Sequence, residues 1–482
     1  MKTWFKHALL VPLGLWVVLS PSAADTNNLP DLGDESGALI SPFEERRLGE
    51  DFMRKARQRL DFIDDPELLD YLQSLGDKLV AQSDGKDQDF LFSLVNNTAI
   101  NAFAVPGGFI TAHTGLVLAA ETEAELAAVL AHEIAHITQR HIPRIFAAQK
   151  RSAAPAMAAL LAAILLLQAG QTEGGEAAIA LSTASMVQSQ INFTRTHEEE
   201  ADRVGTQVLA KAGYDPRAMP SMFRRMQSWG RLYETNLPEF LRTHPLTLRR
   251  IAESENRANQ YPKVATADSS AYDHFRAKIR ALSGDPKTTV GKFEENLAAK
   301  KYNDINAERY GYVLALTRNK QYSKARDQAK NLVRLQPENV YHRIAQAEIE
   351  MSAGRYKQAL DIFSQAYQRD PKHRALLKAY TASLLKIRNY KKARAIAKQA
   401  VQLKPDDPGL HKMLATASGQ SGFKLEAHQA MAEYYYLSGN PAAAVRQLEL
   451  ANRYTGDSFY LRSSLDARIK AIMEEVDRYK KH

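Results

Sequence analysis

Apolar residues recur every three or four positions from Leu48 to Leu60 and from Pro66 to Val80, with charges between them. That spacing predicts two scaffold helices. Ser41-Pro42-Phe43-Glu44 opens the first, with a Ser cap, Pro at the first position and a Glu that closes a capping box. Then the period changes. Phe90–Val95 and Phe109–Ala112 read as strands of a small sheet, joined through Asn101–Gly108, where Pro106-Gly107-Gly108 marks a sharp turn. Glu125–Arg144 returns to helical spacing (Leu126, Val129, Leu130, Ile134, Ile137), and Thr122-x-x-Glu125 supplies its capping box. The strand just ahead of this helix offers an edge on which an extended polypeptide could pair, reading backbone shape and little sequence.

Ala153–Gln168 is almost wholly apolar, yet shorter than a usual membrane span. With the polar break Gly170–Gly175 and a second apolar run, Ala177–Val187, it predicts a helical hairpin near the cleft. That hairpin is either buried packing or a lid that touches membrane or unfolded protein. Pro216 and Pro220 punctuate a helix–loop region, and up to about Tyr261 the pattern stays that of one compact unit. Ser269–Arg280 reads as a helix and Ser283-Gly284-Asp285-Pro286 as a turn.

A repeat then sets in. Tyr322, Tyr356 and Tyr390 are 34 residues apart, each followed three positions on by Ala325, Ala359 or Ala393, and Pro337, Pro371 and Pro405 keep the same interval. This is the signature of tetratricopeptide helix–turn–helix units, which bury their apolar faces only by stacking. Ala427 keeps the phase while Phe423 falls one residue early, a shortened unit follows (Tyr434–Gly439, Pro441–Leu450), and Arg468–Tyr479 reads as a capping helix. Such an array presents a concave face to a peptide or partner helix.

Composition narrows the setting. Lys2 and Lys6, the apolar Ala8–Leu19 and the small residues Ser22-Ala23-Ala24 form a signal-peptide pattern, so residues 1–24 are expected to be removed on export. The chain has no cysteine, which excludes a thiol protease, a disulfide framework and a cysteine lipid anchor. A disulfide-free exported chain of 482 residues fits a Gram-negative periplasm. The net charge of +9 is uneven: residues 301–482 carry about +14 and residues 25–300 about −7. The basic half suits an acidic protein, an anionic membrane surface or plain solvation. Nucleic acid is not an expected partner after export.

The chemistry concentrates at His132-Glu133-Ile134-Ala135-His136. Residues i and i+4 share a helix face, so both imidazoles can grip one ion, with Glu133 beside it as general base. Two His and a Glu on so apolar a helix would be costly to bury without such a partner. A catalytic zinc takes three protein ligands and a water. A third His ten positions after the first is ruled out by Ile142, and His141 projects to the far side of a continuous helix. Arg195–Asp202 is the better source. There Glu198 and Asp202 share a face with the small Ala201, Glu198 as ligand and Asp202 as acceptor from the distal N–H of a ligand His. His197, Glu199 and Glu200 stand as rivals for the ligand role on spacing alone.

Three motifs in order, Asn101-Ala102-Phe103…Pro106-Gly107-Gly108, His132-Glu-x-x-His136 and Arg195-x-x-Glu198-x-x-Ala201-Asp202, resemble the HtpX and CAAX-prenyl-protease kind of zinc peptidase. The leader and the C-terminal repeats resemble its periplasmic, repeat-bearing members. The resemblance puts the third ligand at Glu198 and one zinc ion per chain. It also draws in His244, from His244-Pro245…Arg250, as stabiliser of the developing oxyanion or as occupant of the fourth zinc position, which makes a latent enzyme. A turn-forming loop histidine is the bland alternative. The resemblance further implies clients among misfolded outer-membrane β-barrel proteins and partners in the β-barrel assembly complex and lipopolysaccharide-assembly proteins; peripheral membrane contact is a separate expectation from the short apolar hairpin and the basic half.

The expected fold is α+β and mostly α: a zincin-type metallopeptidase with a small sheet over residues 25–265, a connecting segment at 266–285, and an all-α tetratricopeptide solenoid at 286–482. Hydrolysis of misassembled protein by Glu133, Asp202 and His244 around zinc held by His132, His136, Glu198 and His244 is the expected activity. A mainly non-proteolytic chaperone or adaptor acting through the repeats is the alternative.

Overall fold

The computed structural model describes residues 40–147, 153–168, 195–232, 239–264 and 269–480. The signal peptide, nearly all of the leader and the apolar run 177–187 lie outside the described residues. The first helix, α1 (Pro42–Ala56), starts with the full capping box: Ser41 accepts from the Glu44 amide, and Glu44 Oε2 accepts from the Ser41 amide at 2.9 Å. Next comes α2 (Pro66–Val80), capped by Asp65. Three strands follow, β1 (Leu91–Val95), β2 (Ala102–Val105) and β3 (Phe109–His113), in the order β1-β3-β2, with β1 parallel and β2 antiparallel to β3.

Two strand expectations need correcting. The joining stretch contains a strand, β2, which the pattern hides because Ala102, Phe103 and Val105 are all buried and no polar alternation marks it. The strand just ahead of α4, β3, is central and paired on both sides, so among the described residues the sheet edge nearest that helix belongs to β2. The turn between them needs both glycines: φ is 85° at Gly107 and 90° at Gly108, and a Cβ on Gly108 would stand 2.2 Å from the Asp89 carbonyl oxygen.

After α3 (Thr114–Ala119), α4 (Glu123–Thr138) runs through the core with every residue from Ala124 to Ile137 buried. Its box is only half formed. Thr122 accepts from the Glu125 amide, but Glu125 Oε2 reaches back to the Glu121 amide. Arg140 ends the helix in a left-handed conformation (φ 51°) and α5 (His141–Ala147) starts in a new direction. The apolar α6 (Ala153–Gln168) buries Leu161 and Leu165 with Phe52 and Met53 of α1, so packing accounts for part of its character. Among the described residues no helix is long and apolar enough to cross a membrane. α7 (Arg195–Lys211) lies against α4: a Cβ on Gly205 would stand 3.1 Å from the His132 amide nitrogen, and Ala201 is fully buried. α8 (Ala218–Leu232), α9 (Glu239–Thr243) and α10 (Leu248–Ala258) complete this part.

The segment expected as a connection is mostly helix α11 (Ser270–Leu282), whose Tyr272, Phe275 and Ile279 enter the same core as α4. From there the array alternates α12 (Pro286–Ala299), α13 (Ile305–Arg318), α14 (Tyr322–Leu335), α15 (Val340–Ser352), α16 (Tyr356–Arg369), α17 (Arg374–Lys386), α18 (Tyr390–Leu403), α19 (Pro408–Gln420), α20 (Lys424–Leu437), α21 (Pro441–Asn452) and α22 (Phe459–Lys480). The repeated alanines are its contact points; Ala325, Ala359 and Ala393 are each 0 % exposed.

The array and the helix before it also make ion pairs with the first two helices of the chain. Lys278 Nζ of α11 reaches Glu67 Oε2 at 2.6 Å and Asp65 at 2.8 Å, and Tyr310 of α13 donates to the same Glu67 oxygen at 2.7 Å. Arg374 and Lys378 of α17 pair with Asp70 and Asp64, and Arg54 meets Glu475 at 3.1 Å. The acidic α2 and its entry thus sit against the basic array, a local use of the opposite net charges of the two halves.

Candidate metal centre

Four buried side chains from two helices and a turn converge. His132 and His136 project from one face of α4, Glu198 from the first turn of α7, and His244 from the turn after α9. His132 Nε2 lies 3.0 Å from His136 Nε2, 3.4 Å from His244 Nδ1 and 3.5 Å from Glu198 Oε2. Glu198 Oε1 is 3.5 Å from His136 Nε2 and 3.0 Å from His244 Nδ1. Ligands around a tetrahedral zinc, with bonds of about 2.0–2.2 Å, are separated by about 3.3–3.6 Å. Three of the five separations match that spacing and two, at 3.0 Å, are slightly shorter, so the donor set is close to what one ion of that size needs, and its N/O chemistry suits it. Among the described residues this is the group of His and acidic side chains placed to hold a metal.

The electrostatics favour a cation. Burial would raise the Glu198 carboxyl, but His244, His132 and His136 hold it well below the usual range. Burial pushes His136 well below the ordinary imidazole value, the neutral form a ligand needs. At His132 burial is outweighed by the bonds to Asp202 and Glu198, which push it up to about 9; a metal ion bound there would take over the role of that proton. Glu133 stands beside the cluster, its carboxyl raised by burial, its Oε1 accepting no hydrogen bond among the described residues and lying 3.6 Å from His244 Nε2. A carboxylate with raised affinity for protons and a free oxygen is what a general base needs.

Asp202 Oδ1 is 3.0 Å from His132 Nδ1, the distal nitrogen of that ring. Arg250 holds Asp202 through two bonds, Nε to Oδ2 at 2.8 Å and Nη2 to Oδ1 at 2.9 Å, and its Nη1 lies 2.9 Å from Glu198. Arg250 is 3 % exposed and also donates to the Pro245 carbonyl at 2.7 Å, which fixes the turn that carries His244. Phe240 stacks on the His244 ring at 4.6 Å. The sequence marked Arg250 only as the end of a pattern and gave no reason for it. The reason is a pair of buried carboxylates 48 and 52 positions upstream.

Of the rival ligands, Glu199 lies 3.5 Å from Arg249, and Glu200 reaches His141 and Arg144. His197 stacks on His141 at 4.7 Å, outside the cluster. The expectation for His141 is overturned. Because α4 ends at Thr138 and the chain turns at Arg140, His141 does not continue its helical projection and instead places Nδ1 2.8 Å from His136 Nδ1.

An apolar cleft opens beside Glu133, His136 and His244. Phe103 and Val105 of β2, Ile137, Ile142, and Leu160 and Ile164 of α6 line it, and the Arg140–Glu45 ion pair stands at its rim.

Residues 66–258 match the family model Peptidase family M48, and residues 350–417 match a Tetratricopeptide repeat model. The chain is 34 % identical over 460 residues to the Putative beta-barrel assembly-enhancing protease of Vibrio cholerae, covering 94 % of each. It is 32 % identical over 468 residues to the Beta-barrel assembly-enhancing protease of Escherichia coli, covering 96 % of this chain and 95 % of that one. A shorter match, 34 % over 152 residues, links it to the Mitochondrial metalloendopeptidase OMA1 of Arabidopsis thaliana, covering 32 % of this chain and 28 % of the relative.

Proposed function

This chain belongs to the β-barrel assembly-enhancing protease family of M48 metalloendopeptidases, and from that premise we propose that it is a periplasmic zinc peptidase that removes misassembled outer-membrane protein and is latent at rest. The observation that carries the reading is the buried His132–His136–Glu198–His244 cluster with Glu133 beside it. His132, His136 and Glu198 hold the ion, which when bound would polarise the scissile carbonyl and acidify a water. Glu133, beside the cluster, would serve as the base that takes a proton from the attacking water and returns it to the leaving amine. Asp202 keeps the His132 ring in place, and Arg250 keeps Asp202 in place. The free edge of β2 suits an extended substrate, and the Phe103–Val105–Ile142–Leu160 cleft suits an apolar side chain next to the cut bond. Unfolded β-barrel segments carry such side chains at every second position.

His244 is assigned to the fourth position. Its Nδ1 lies 3.0 Å from Glu198 Oε1 and 3.4 Å from His132 Nε2, within the same donor cluster, which supports this assignment. The same closure supports the second reading, a chaperone or adaptor in its resting state, and the two roles coexist in one molecule. Residues 1–24 are assigned as the export signal, residues 25–265 as the peptidase, and the repeats as the surface for the β-barrel assembly and lipopolysaccharide-assembly proteins.

Glu133→Gln tests the mechanism on a stalled β-barrel substrate, with bound zinc measured. The expected result is a loss of cleavage of about 10²-fold or more with zinc retained. Wild-type cleavage by the zinc-loaded variant would refute it.

A further inference from the structure

The two candidate ligand histidines of α4 each have a distal nitrogen that must be held, and the two are held differently. His132 Nδ1 meets a carboxylate directly, Asp202 Oδ1 at 3.0 Å. His136 Nδ1 meets a second imidazole, His141 Nδ1 at 2.8 Å. His141 Nε2 in turn lies 3.2 Å from Glu200 Oε2, and the same oxygen accepts from Arg144 Nη1 at 2.9 Å. His141 is 0 % exposed, and His197 stacks flat on its ring, so the ring has little room to turn.

We infer that His141 and Glu200 form a relay that positions His136 for metal. The bond directions follow from the chemistry. With Nε2 of His136 facing the ion, its Nδ1 carries the hydrogen and donates. His141 Nδ1 must then accept, which places the His141 hydrogen on Nε2, and that N–H donates to Glu200. Arg144 fixes the carboxylate at the outer end. Every step has one donor and one acceptor, and reversing any of them would set two N–H groups or two lone pairs face to face. The left-handed turn at Arg140 is what makes the relay possible, since it brings His141 back beside the ring five positions earlier. His141 and Glu200 are thus positioning residues, working through His136. This rests on the reading of His136 as a zinc ligand.

The test uses the full chain loaded with zinc and follows metal release to a chromogenic chelator. His141→Phe keeps a flat ring but has no acceptor, and is expected to release zinc about 10- to 100-fold faster than wild type. His141→Asn places a carbonyl oxygen where Nδ1 stands and is expected to restore most of the loss. Glu200→Leu breaks the relay one step further out, on a partly exposed side chain, so the fold is spared if His141→Phe proves unstable; faster release is expected there too. Adding Glu200→Leu to His141→Phe is expected to change little, because both cut one chain. Wild-type release from His141→Phe and Glu200→Leu, or fully additive effects, would overturn the relay. His136→Ala separates the two levels: if it retains zinc like wild type, the ligand assignment itself fails; if it loses zinc while His141→Phe does not, only the relay fails.

Discussion

At the scale of single residues, the site is decided by which charges are buried together. Arg250 is enclosed with Asp202 and Glu198, and removing one member of a buried ion group leaves the others without compensation. Arg250→Met is therefore expected to cost about 3–5 kcal/mol in denaturant unfolding of the metal-free chain. Arg250→Lys keeps the charge but loses the two-pronged bond to Asp202, and should fall between. A cost under about 1 kcal/mol for Arg250→Met would show the group to be poorly coupled. His132, Glu133 and His136 were legible because their spacing alone puts them on one helix face. Glu198 was not, on spacing alone: choosing among Glu198, Glu199 and Glu200 requires knowing how α7 docks on α4. Ala201 and Gly205 set that docking, and it turns Glu198 inward while Glu200 faces His141.

At the scale of elements, the departures from expectation share one cause, which is that chain direction can change without a sequence marker. Arg140 adopts a positive φ without being Gly or Asn, so nothing in the sequence announces that α4 ends there and that His141 swings back. β2 lacks an alternating pattern because it is covered on both faces, and it takes the outer place in the sheet that the order of strands along the chain does not reveal. The helices and the repeat array were readable because their signals, the 3.6-residue period and the 34-residue interval, are local. The cleft between β2, α5 and α6 yields a specificity prediction. Peptides with Leu or Phe after the cut bond should be cleaved at least about 10-fold faster than their Ala counterparts. Ile142→Glu should erase that preference. A preference unchanged in Ile142→Glu would place the side-chain pocket elsewhere.

At the scale of the whole molecule, the array is built onto the peptidase rather than tethered to it. Glu67 of α2 binds both Lys278 of α11 and Tyr310 of α13, and the Tyr310 ring lies 5.4 Å from that of His342. His342 is 1 % exposed, and burial, with His274 stacked nearby, pushes its pKa down to about 4. In the unfolded chain it would titrate near 6.5, so between those values the unfolded state binds more protons. The stability gained by keeping His342 neutral is present above about pH 6.5 and lost as the pH falls toward 4. Acidification from pH 7 to 5 should remove about 2 kcal/mol through this group. His342→Leu should flatten that part of the pH dependence in chemical unfolding, and an unchanged slope would mean the ring is free to protonate in place.

Latency of the site is the central claim, and His244→Ala with and without Glu133→Gln addresses it most directly. Cleavage of an unfolded β-barrel protein and bound zinc are measured together. The expected result is that His244→Ala cleaves faster than wild type, while His244→Ala/Glu133→Gln retains its zinc and does not cleave. Cleavage by His244→Ala at or below the wild-type rate, or by the double variant at the rate of His244→Ala, would contradict the account.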